Sequence, residues 1–205
     1  DHPAFRPLEI TIGPDGAIYV LDWFNPIIGH YQASFRHPSR DKTHGRVWRI
    51  TAKQRPLVKP PDLTTNSVRL HDLFTYLRHP EGWVRKQAKR RLSEMKTNAV
   101  IPALRQWLSE TTAAAEDLEH LRYEALGVFE SHDVVEPSLL SKLLSARDPY
   151  ARAYATCVVR RWSDRLPDAL ALLANNVRDE HPRVRMEAVT ALSHIPSPQS
   201  IVIAM

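Results

Sequence analysis

A short motif that recurs from residue 84 onward places the strongest constraint on the fold. In each copy an apolar residue is followed directly by an arginine and, three positions later, by an alanine. The arginines follow one another at intervals of 37, 30 and 33 residues. They are Arg85, Arg122, Arg152 and Arg185. A period of this length, with two helices in each unit, is typical of an α-solenoid in which every repeat packs against its neighbours.

The residues around the motif predict where the helices begin and end. Proline suits the first position of a helix because that position needs no backbone N–H, and it occurs in His79-Pro80, Asp148-Pro149 and His181-Pro182. Apolar periodicity then predicts a first and a second helix in each of four units. The predicted first helices are 68–78, 100–109, 136–145 and 168–175, and the second helices are 83–95, 118–130, 149–162 and 182–194.

The motif residues are predicted to have structural roles. The small alanine allows paired helices to approach closely, and the arginine can bond the preceding turn or an acidic residue of the next repeat. Partner binding by the arginine is the alternative. The motif resembles HEAT repeats of the short bacterial kind, and this resemblance implies a HEAT-like array over residues 67–205.

The first fifty residues follow a different period. Alternation of apolar and polar residues and a β-rich run predict strands over 8–12, 17–22 and 45–51. The sequence Gly13-Pro14-Asp15-Gly16 is typical of a tight turn, because proline presets φ and glycine tolerates positive φ. Three short strands leave faces and edges uncovered. We therefore expect residues 1–51 to be the end of a larger β-sheet structure whose remainder lies outside this chain.

Two sequences in this region, GPDGAIYVLDW and GRVWRI, resemble a blade of a β-propeller. Over residues 5–58 the chain is similar to the last blade of large bacterial proteins described as membrane-bound dehydrogenases. Their propellers are similar to those of soluble quinoprotein glucose and sorbosone dehydrogenases, and HEAT-like repeats and often a c-type cytochrome domain follow. The implied fold class is mainly α, a HEAT-like α-solenoid preceded by a short antiparallel β unit. The implied domains are a terminal blade (1–53), a Pro-rich linker (54–66) and helical repeats (67–205).

Composition and charge exclude several classes of protein. The single cysteine, Cys157, excludes an intrachain disulfide framework and a CxxCH haem site. No apolar run reaches about 18 residues, so no membrane span is expected.

Eight Lys or Arg residues against one Asp lie between positions 30 and 59, which suits an anionic partner or a solvated loop. The basic run 85–91 lacks interleaved aromatic residues, and nucleic acid is not an expected partner.

Oxygen-bearing side chains at the end of the second predicted strand and in the following loop are candidate calcium ligands. Asp22, Asn25 and Asp41 offer the carboxylate and amide oxygens that Ca²⁺ prefers. The favoured alternative is that Asp22 caps the turn and accepts hydrogen bonds from loop amides. Three histidines seven residues apart offer a zinc or copper site, although metal-ligand spacing is usually tighter. They are His30, His37 and His44.

The long loop after the second strand carries the candidates for cofactor or substrate binding. The resemblance places this loop at one rim of a propeller, where bidentate arginines suit a quinone carboxylate or an acidic sugar. Packing of the loop against the first helical repeat is the alternative. The candidates are His30, Tyr31, Arg36, Arg40 and Arg46. No catalytic residue is assigned, because the resemblance implies that the catalytic base comes from another blade.

The resemblance implies that the parent protein is a PQQ- and calcium-dependent sugar or alcohol dehydrogenase, periplasmic or secreted. This chain begins with Asp1-His2-Pro3 and lacks a signal-peptide pattern, so we expect it to be cut from a longer protein. It would close the propeller and supply the HEAT scaffold without activity of its own. The implied partners are the remainder of the propeller, a cytochrome domain or a protein on the solenoid surface, and no haem is expected in this chain. The alternative function is a non-enzymatic protein–protein interaction scaffold.

Overall fold

The computed structural model describes residues 2–27, 36–63, 68–112 and 115–205 of the chain. The backbone forms two compact units. The first comprises Asp1–Asn66 together with His79–Lys86, and the second comprises Ser67–Arg78 together with Gln87–Met205. The predicted linker over 54–66 stays a prediction, since its last three residues lie outside the described ranges.

Three strands in the first unit form an antiparallel sheet. β1 (Pro7–Ile12), β2 (Ile18–Asp22) and β3 (Arg46–Ile50) lie in this order across the sheet, and their bounds agree within one residue with the predicted strands. In the predicted turn between β1 and β2, the Gly13 N–H donates to the Ala17 carbonyl oxygen at 2.8 Å. Gly16 in this turn has a φ of 76°, which glycine adopts without a steric penalty.

Nine helices lie within the described residues that follow the sheet. They confirm the eight predicted helices and add a ninth near the end of the sequence. α3 begins three residues before its predicted start and contains Pro102, which cannot donate the usual helical hydrogen bond. The helices are α1 (Leu70–Tyr76), α2 (Gly82–Ser93), α3 (Thr97–Glu110), α4 (Ala115–Ser131), α5 (Pro137–Leu144), α6 (Pro149–Arg161), α7 (Ala169–Asn176), α8 (Pro182–Leu192) and α9 (Pro198–Ala204).

The recurring motif is buried in α2, α4, α6 and α8. The motif alanines have no exposed surface, and the apolar residue before each arginine is also buried. An alanine side chain ends at Cβ, so its burial lets neighbouring helices come close, as the sequence predicts. The alanines are Ala88, Ala125, Ala155 and Ala188, and the apolar residues are Val84, Leu121, Ala151 and Val184.

Three motif arginines bind the turn that precedes their own helix. In each, Nη1 donates to the backbone carbonyl oxygens five and six residues earlier. The distances are both 2.7 Å for Arg85, 3.0 and 2.9 Å for Arg152, and 2.8 and 2.9 Å for Arg185. Arg122 differs because α4 begins at Ala115, so the carbonyls five and six residues earlier already belong to its own helix. The predicted bond to the preceding turn is confirmed for Arg85, Arg152 and Arg185.

Candidate functional site

One face of the sheet is apolar across all three strands. Strand pairing aligns its residues in two neighbouring rows, because side chains of paired residues lie on the same face of a sheet. We call this surface the apolar face; its rows are Ile10, Val20 and Trp48, then Ile12, Ile18 and Ile50. The opposite face is mixed, with Glu9, Leu21 and Val47 in one row and Thr11, Tyr19 and Arg49 in the other.

Most of the apolar face is exposed. Ile10 and Ile50 expose 68% and 53% of their surface. Val20 in the middle strand is buried, and together with Trp48 and Ile50 it lines a shallow cavity of about 480 Å³. A contiguous apolar surface of this kind marks an interaction site more often than a surface left in water. The apolar face is therefore the first candidate functional site.

The Asp22 carboxylate, at the end of β2, forms hydrogen bonds with the segment before β1, with the segment after β2 and with β3. Oδ1 accepts hydrogen bonds from the backbone N–H groups of Arg6 and Phe24 at 2.7 and 2.9 Å, and Oδ2 accepts the Trp48 indole N–H at 2.9 Å. Burial raises the pKa of this carboxyl, but the hydrogen bonds from Arg6, Trp48 and Phe24, helped by the Arg46 charge, hold the pKa below its usual range. The prediction that Asp22 accepts loop amides is confirmed.

The other two candidate calcium ligands, Asn25 and Asp41, also form hydrogen bonds with backbone groups of the loop. Buried Asn25 accepts the Ile27 N–H at 3.1 Å through Oδ1, and its Nδ2 donates to the Asp41 carbonyl oxygen at 3.3 Å. Asp41 Oδ1 accepts the N–H groups of Thr43 and His44 at 2.9 and 3.0 Å. A calcium ion would compete with these donors for the same oxygen atoms. Within the described ranges no three His, Cys, Asp or Glu side chains form a metal-ligand group. Calcium binding stays a prediction.

The arginines proposed for cofactor binding lie in different surroundings. The Cζ atom of Arg46 lies 3.3 Å from the centroid of the Phe24 ring, a cation–π contact beside the sheet. Arg40 is buried. The remaining candidates are exposed Arg36 and, outside the described residues, His30 and Tyr31. Cofactor binding by this set stays a prediction.

A second candidate site lies within the second unit, between α4 and the start of α6. Its cavity of about 430 Å³ is lined by carboxylate and aromatic side chains. We call it the aromatic pocket; its lining includes Glu119, His120, Tyr123, Arg147, Asp148 and Tyr150. The Glu119 carboxylate joins its two walls, because it accepts the backbone N–H groups of Arg147 and Asp148 at 2.9 and 3.0 Å.

The sequence patterns described above do not predict the aromatic pocket, although α6 does carry a signal for it. Tyr150 directly precedes the buried motif position Ala151, and its exposed side chain lines the cavity. An aromatic side chain that stays exposed beside a core position is typical of a surface that contacts a partner. The opposite wall is formed by side chains of α4, and these can be identified only in the packed structure.

The two units match different family descriptions. Residues 136–203, from just before α5 into α9, match the sequence model of HEAT repeats. This part of the chain is similar to HEAT repeats. Residues 1–54, which contain all three strands, match a domain of unknown function, DUF7133. No curated protein and no solved structure matches the chain.

The HEAT similarity confirms the prediction of helical repeats over residues 136–203, and a solenoid arrangement fits it. The matches do not test the propeller and dehydrogenase predictions, and both stay predictions. Across the described residues, no helix has the length and apolar character that crossing a bilayer requires.

Proposed function

We propose that the protein is a non-enzymatic scaffold that links a larger β-sheet structure to a protein partner. In this proposal the three-stranded sheet is the last blade of a β-propeller, and the helical repeats present a binding surface to another protein. The observation that carries the proposal is the exposed apolar face, because an apolar sheet surface gains stability when a second layer covers it.

The composition of the apolar face supports burial against a further sheet. Ile10, Ile12 and Ile50 each expose more than half of their surface, and complete burial of one such side chain stabilises a fold by about 1.5–3 kcal/mol. Blades of a propeller are packed around a central channel, so that neighbouring blades cover each other. The opposite face suits burial against a further sheet less, because it carries the charged Arg49 side chain. The Nε of Arg49 donates a hydrogen bond to the Asp15 carboxylate at 2.8 Å.

The helical repeats support the interaction role. Repeats of this type stack into extended surfaces that bind other chains. Tyr150 on α6 and Met186 on α8 expose 66% and 47% of their surface, and aromatic and methionine side chains are enriched in protein interfaces. These two side chains therefore suit a protein partner.

Photo-cross-linking tests the β-sheet part of the proposal in the full-length protein. We expect a photo-reactive amino acid that replaces Ile10, on the apolar face, to cross-link to a β-strand outside residues 7–50, identified by peptide mass spectrometry. Glu9 is the matched control, because it is the next residue of β1 and lies on the opposite face. Equal cross-linking from both positions, or products from position 10 that involve the helical repeats alone, would contradict the proposal.

The oxidoreductase activity concerns the parent protein and stays a separate proposal, supported by the resemblance of residues 5–58. The same resemblance supports a periplasmic or secreted location. Reconstitution of the parent protein with PQQ and calcium, followed by dye reduction across sugars and alcohols, tests the activity. Failure to bind PQQ and to reduce the dye with any substrate would reject the dehydrogenase and leave the scaffold proposal intact.

A further inference from the structure

The aromatic pocket has a fixed frame. Glu119 on α4 accepts two backbone N–H groups, those of Arg147 and Asp148, and thereby holds the turn before α6 against α4. Asp148 caps α6 by accepting the Tyr150 N–H at 2.9 Å. Side chains that are already positioned lose little conformational freedom when a ligand binds. The pocket is therefore pre-organised for binding.

The charge of the pocket favours a cationic ligand. Burial raises the pKa of Glu119, but the backbone hydrogen bonds from Asp148 and Arg147 lower it below its ordinary value, as do the charges of Arg147 and Arg122. Glu119 is therefore ionised at neutral pH. Asp148 adds a second carboxylate to the lining, which contains one guanidinium, that of Arg147, while the Arg122 charge acts on Glu119 from outside this lining.

Aromatic rings complete the pocket. Tyr150 exposes 66% of its surface and contacts the His181 ring edge to face, with centroids 5.5 Å apart. The rings of His120 and Tyr123 are inclined by only 20°, with centroids 6.5 Å apart. The face of a tyrosine ring attracts a cation electrostatically, and the attraction grows when water is displaced. The rings and the carboxylates thus favour the same kind of ligand.

We propose that the aromatic pocket binds an arginine side chain of the protein partner. A guanidinium group is planar, so it can stack on a tyrosine ring while its N–H groups donate to carboxylates, whereas an ammonium group has no flat face to stack. Arg46 and Phe24 make a contact of this type elsewhere in the chain, at 3.3 Å. The proposal rests on the scaffold function, because it specifies the partner chemistry that the helical repeats recognise.

A pair of peptides tests this assignment on the 205-residue chain. One probe is acetyl-Gly-Gly-Arg-Gly-Gly-amide, and the other carries citrulline, which is neutral and similar in shape, in place of arginine. We expect the arginine peptide to shift the NMR signals of backbone amides 119–123 and 147–151. The citrulline peptide should associate about fivefold more weakly, because it keeps the shape and loses the charge. A lysine peptide should fall between the two.

Two substitutions should change the association constant in opposite directions. Tyr150→Ala removes the exposed ring and should weaken arginine-peptide binding about two- to fivefold, whereas Tyr150→Phe should retain it. Arg147→Gln removes a competing positive charge, keeps the backbone N–H that Glu119 accepts, and should strengthen binding about twofold. Trp23→Ala is the matched control, because Trp23 is an exposed aromatic residue of the other unit.

Equal association of the arginine and citrulline peptides would overturn the proposal. Signal shifts confined to residues outside the pocket, or the absence of any shift, would overturn it as well. These outcomes do not affect the cross-link expected from position 10 in the sheet. Failure of the pocket assignment is therefore distinguishable from failure of the scaffold proposal.

Discussion

Histidine followed by proline makes the same local contact four times in this chain. In each dipeptide His Nδ1 accepts a hydrogen bond from the backbone N–H two residues later, at 3.1–3.3 Å. The ring nitrogen occupies the position that an Asn or Asp side-chain oxygen has in an Asx-turn, while proline fixes the intervening φ. The histidines are His2, His37, His79 and His181. At His181 this contact caps the start of α8.

Two substitutions of His181 should distinguish the contribution of the helix cap to stability from that of the ring contact with Tyr150. We expect His181→Ala to lower the free energy of unfolding by about 1 kcal/mol, because it removes the helix cap, and His181→Asn to keep most of the stability, because Asn is a good cap. Urea unfolding measures both, with His71→Ala, an exposed position on α1, as the control. Equal losses for the two His181 variants would instead point to the ring contact with Tyr150.

Arg152 makes both bonds that the sequence predicts for a motif arginine. Besides the preceding turn, it binds the Asp179 carboxylate of the next repeat through Nε and Nη2 at 2.8 and 3.0 Å. The hydrogen bond from Arg152 lowers the pKa of Asp179, although burial opposes this shift. The bidentate pair is largely buried, and removal of one partner would leave the other charge poorly solvated.

We expect Arg152→Met to lower the free energy of unfolding at pH 7 by about 3 kcal/mol. Because the pKa of Asp179 is lower in the folded protein than its ordinary value of 3.8, its stabilisation is present above that value and lost as the pH falls through the folded-state pKa. Urea unfolding at pH 7, 5 and 3 should therefore show a smaller acid-induced loss in Arg152→Met than in the wild type. Parallel pH profiles would contradict this assignment.

At the scale of elements, Gly127 lies where α4 packs closely against its neighbours. A Cβ atom at Gly127 would lie 3.4 Å from both Lys89 Cδ and the Tyr154 hydroxyl oxygen. This space admits a methyl group but nothing larger without displacement of those side chains. The glycine thus lowers helix propensity at a place where α4 approaches its neighbours.

Gly127→Ala and Gly127→Leu should have opposite effects on stability. The alanine should raise the free energy of unfolding by about 0.5–1 kcal/mol through its higher helix propensity. The leucine should lower it by about 1–3 kcal/mol, because its side chain would overlap Tyr154 and Lys89. Urea unfolding followed by circular dichroism provides the measurement, and a stabilising leucine would show that the space beside Gly127 is wider than the structure indicates.

At the scale of the whole molecule, the described residues combine a well-packed helical array with a sheet that exposes apolar side chains. The motif alanines of the array have no exposed surface, whereas Ile10, Ile12 and Ile50 of the sheet expose more than half of theirs. The array thus buries its own core. The sheet gains further stability only when its apolar face is covered.

The apolar face should bind an apolar fluorescent dye in the isolated chain. We expect the double substitution Ile10→Ser and Ile50→Ser to reduce the folded-state fluorescence of the dye ANS by about half, because it interrupts a contiguous apolar surface. Val47→Ser is the control, since Val47 is 64% exposed and lies on the opposite face. An equal reduction in the control would mean that the dye reports scattered apolar residues rather than the apolar face.

Much of the fold can be predicted from the sequence because the deciding interactions are local. Alternation over a few residues places each strand, and Pro149 and Pro182 mark the starts of α6 and α8. The contacts of Arg85 and Arg185 are predictable for the same reason, since their acceptors lie five and six residues earlier in the chain. The HEAT similarity of residues 136–203 agrees with the helical repeat that the local pattern predicts.

The sequence by itself determined the helices, the strands and the repeat, since each depends on neighbours within a few positions. Only the tertiary structure decided which distant groups meet. Asp22 takes its donors from 16 residues earlier and 26 residues later as well as from the adjacent turn, and Glu119 meets backbone N–H groups 28 and 29 residues away. No local period specifies such pairs, because they form when whole elements pack and fix the distance between segments that are remote in the chain.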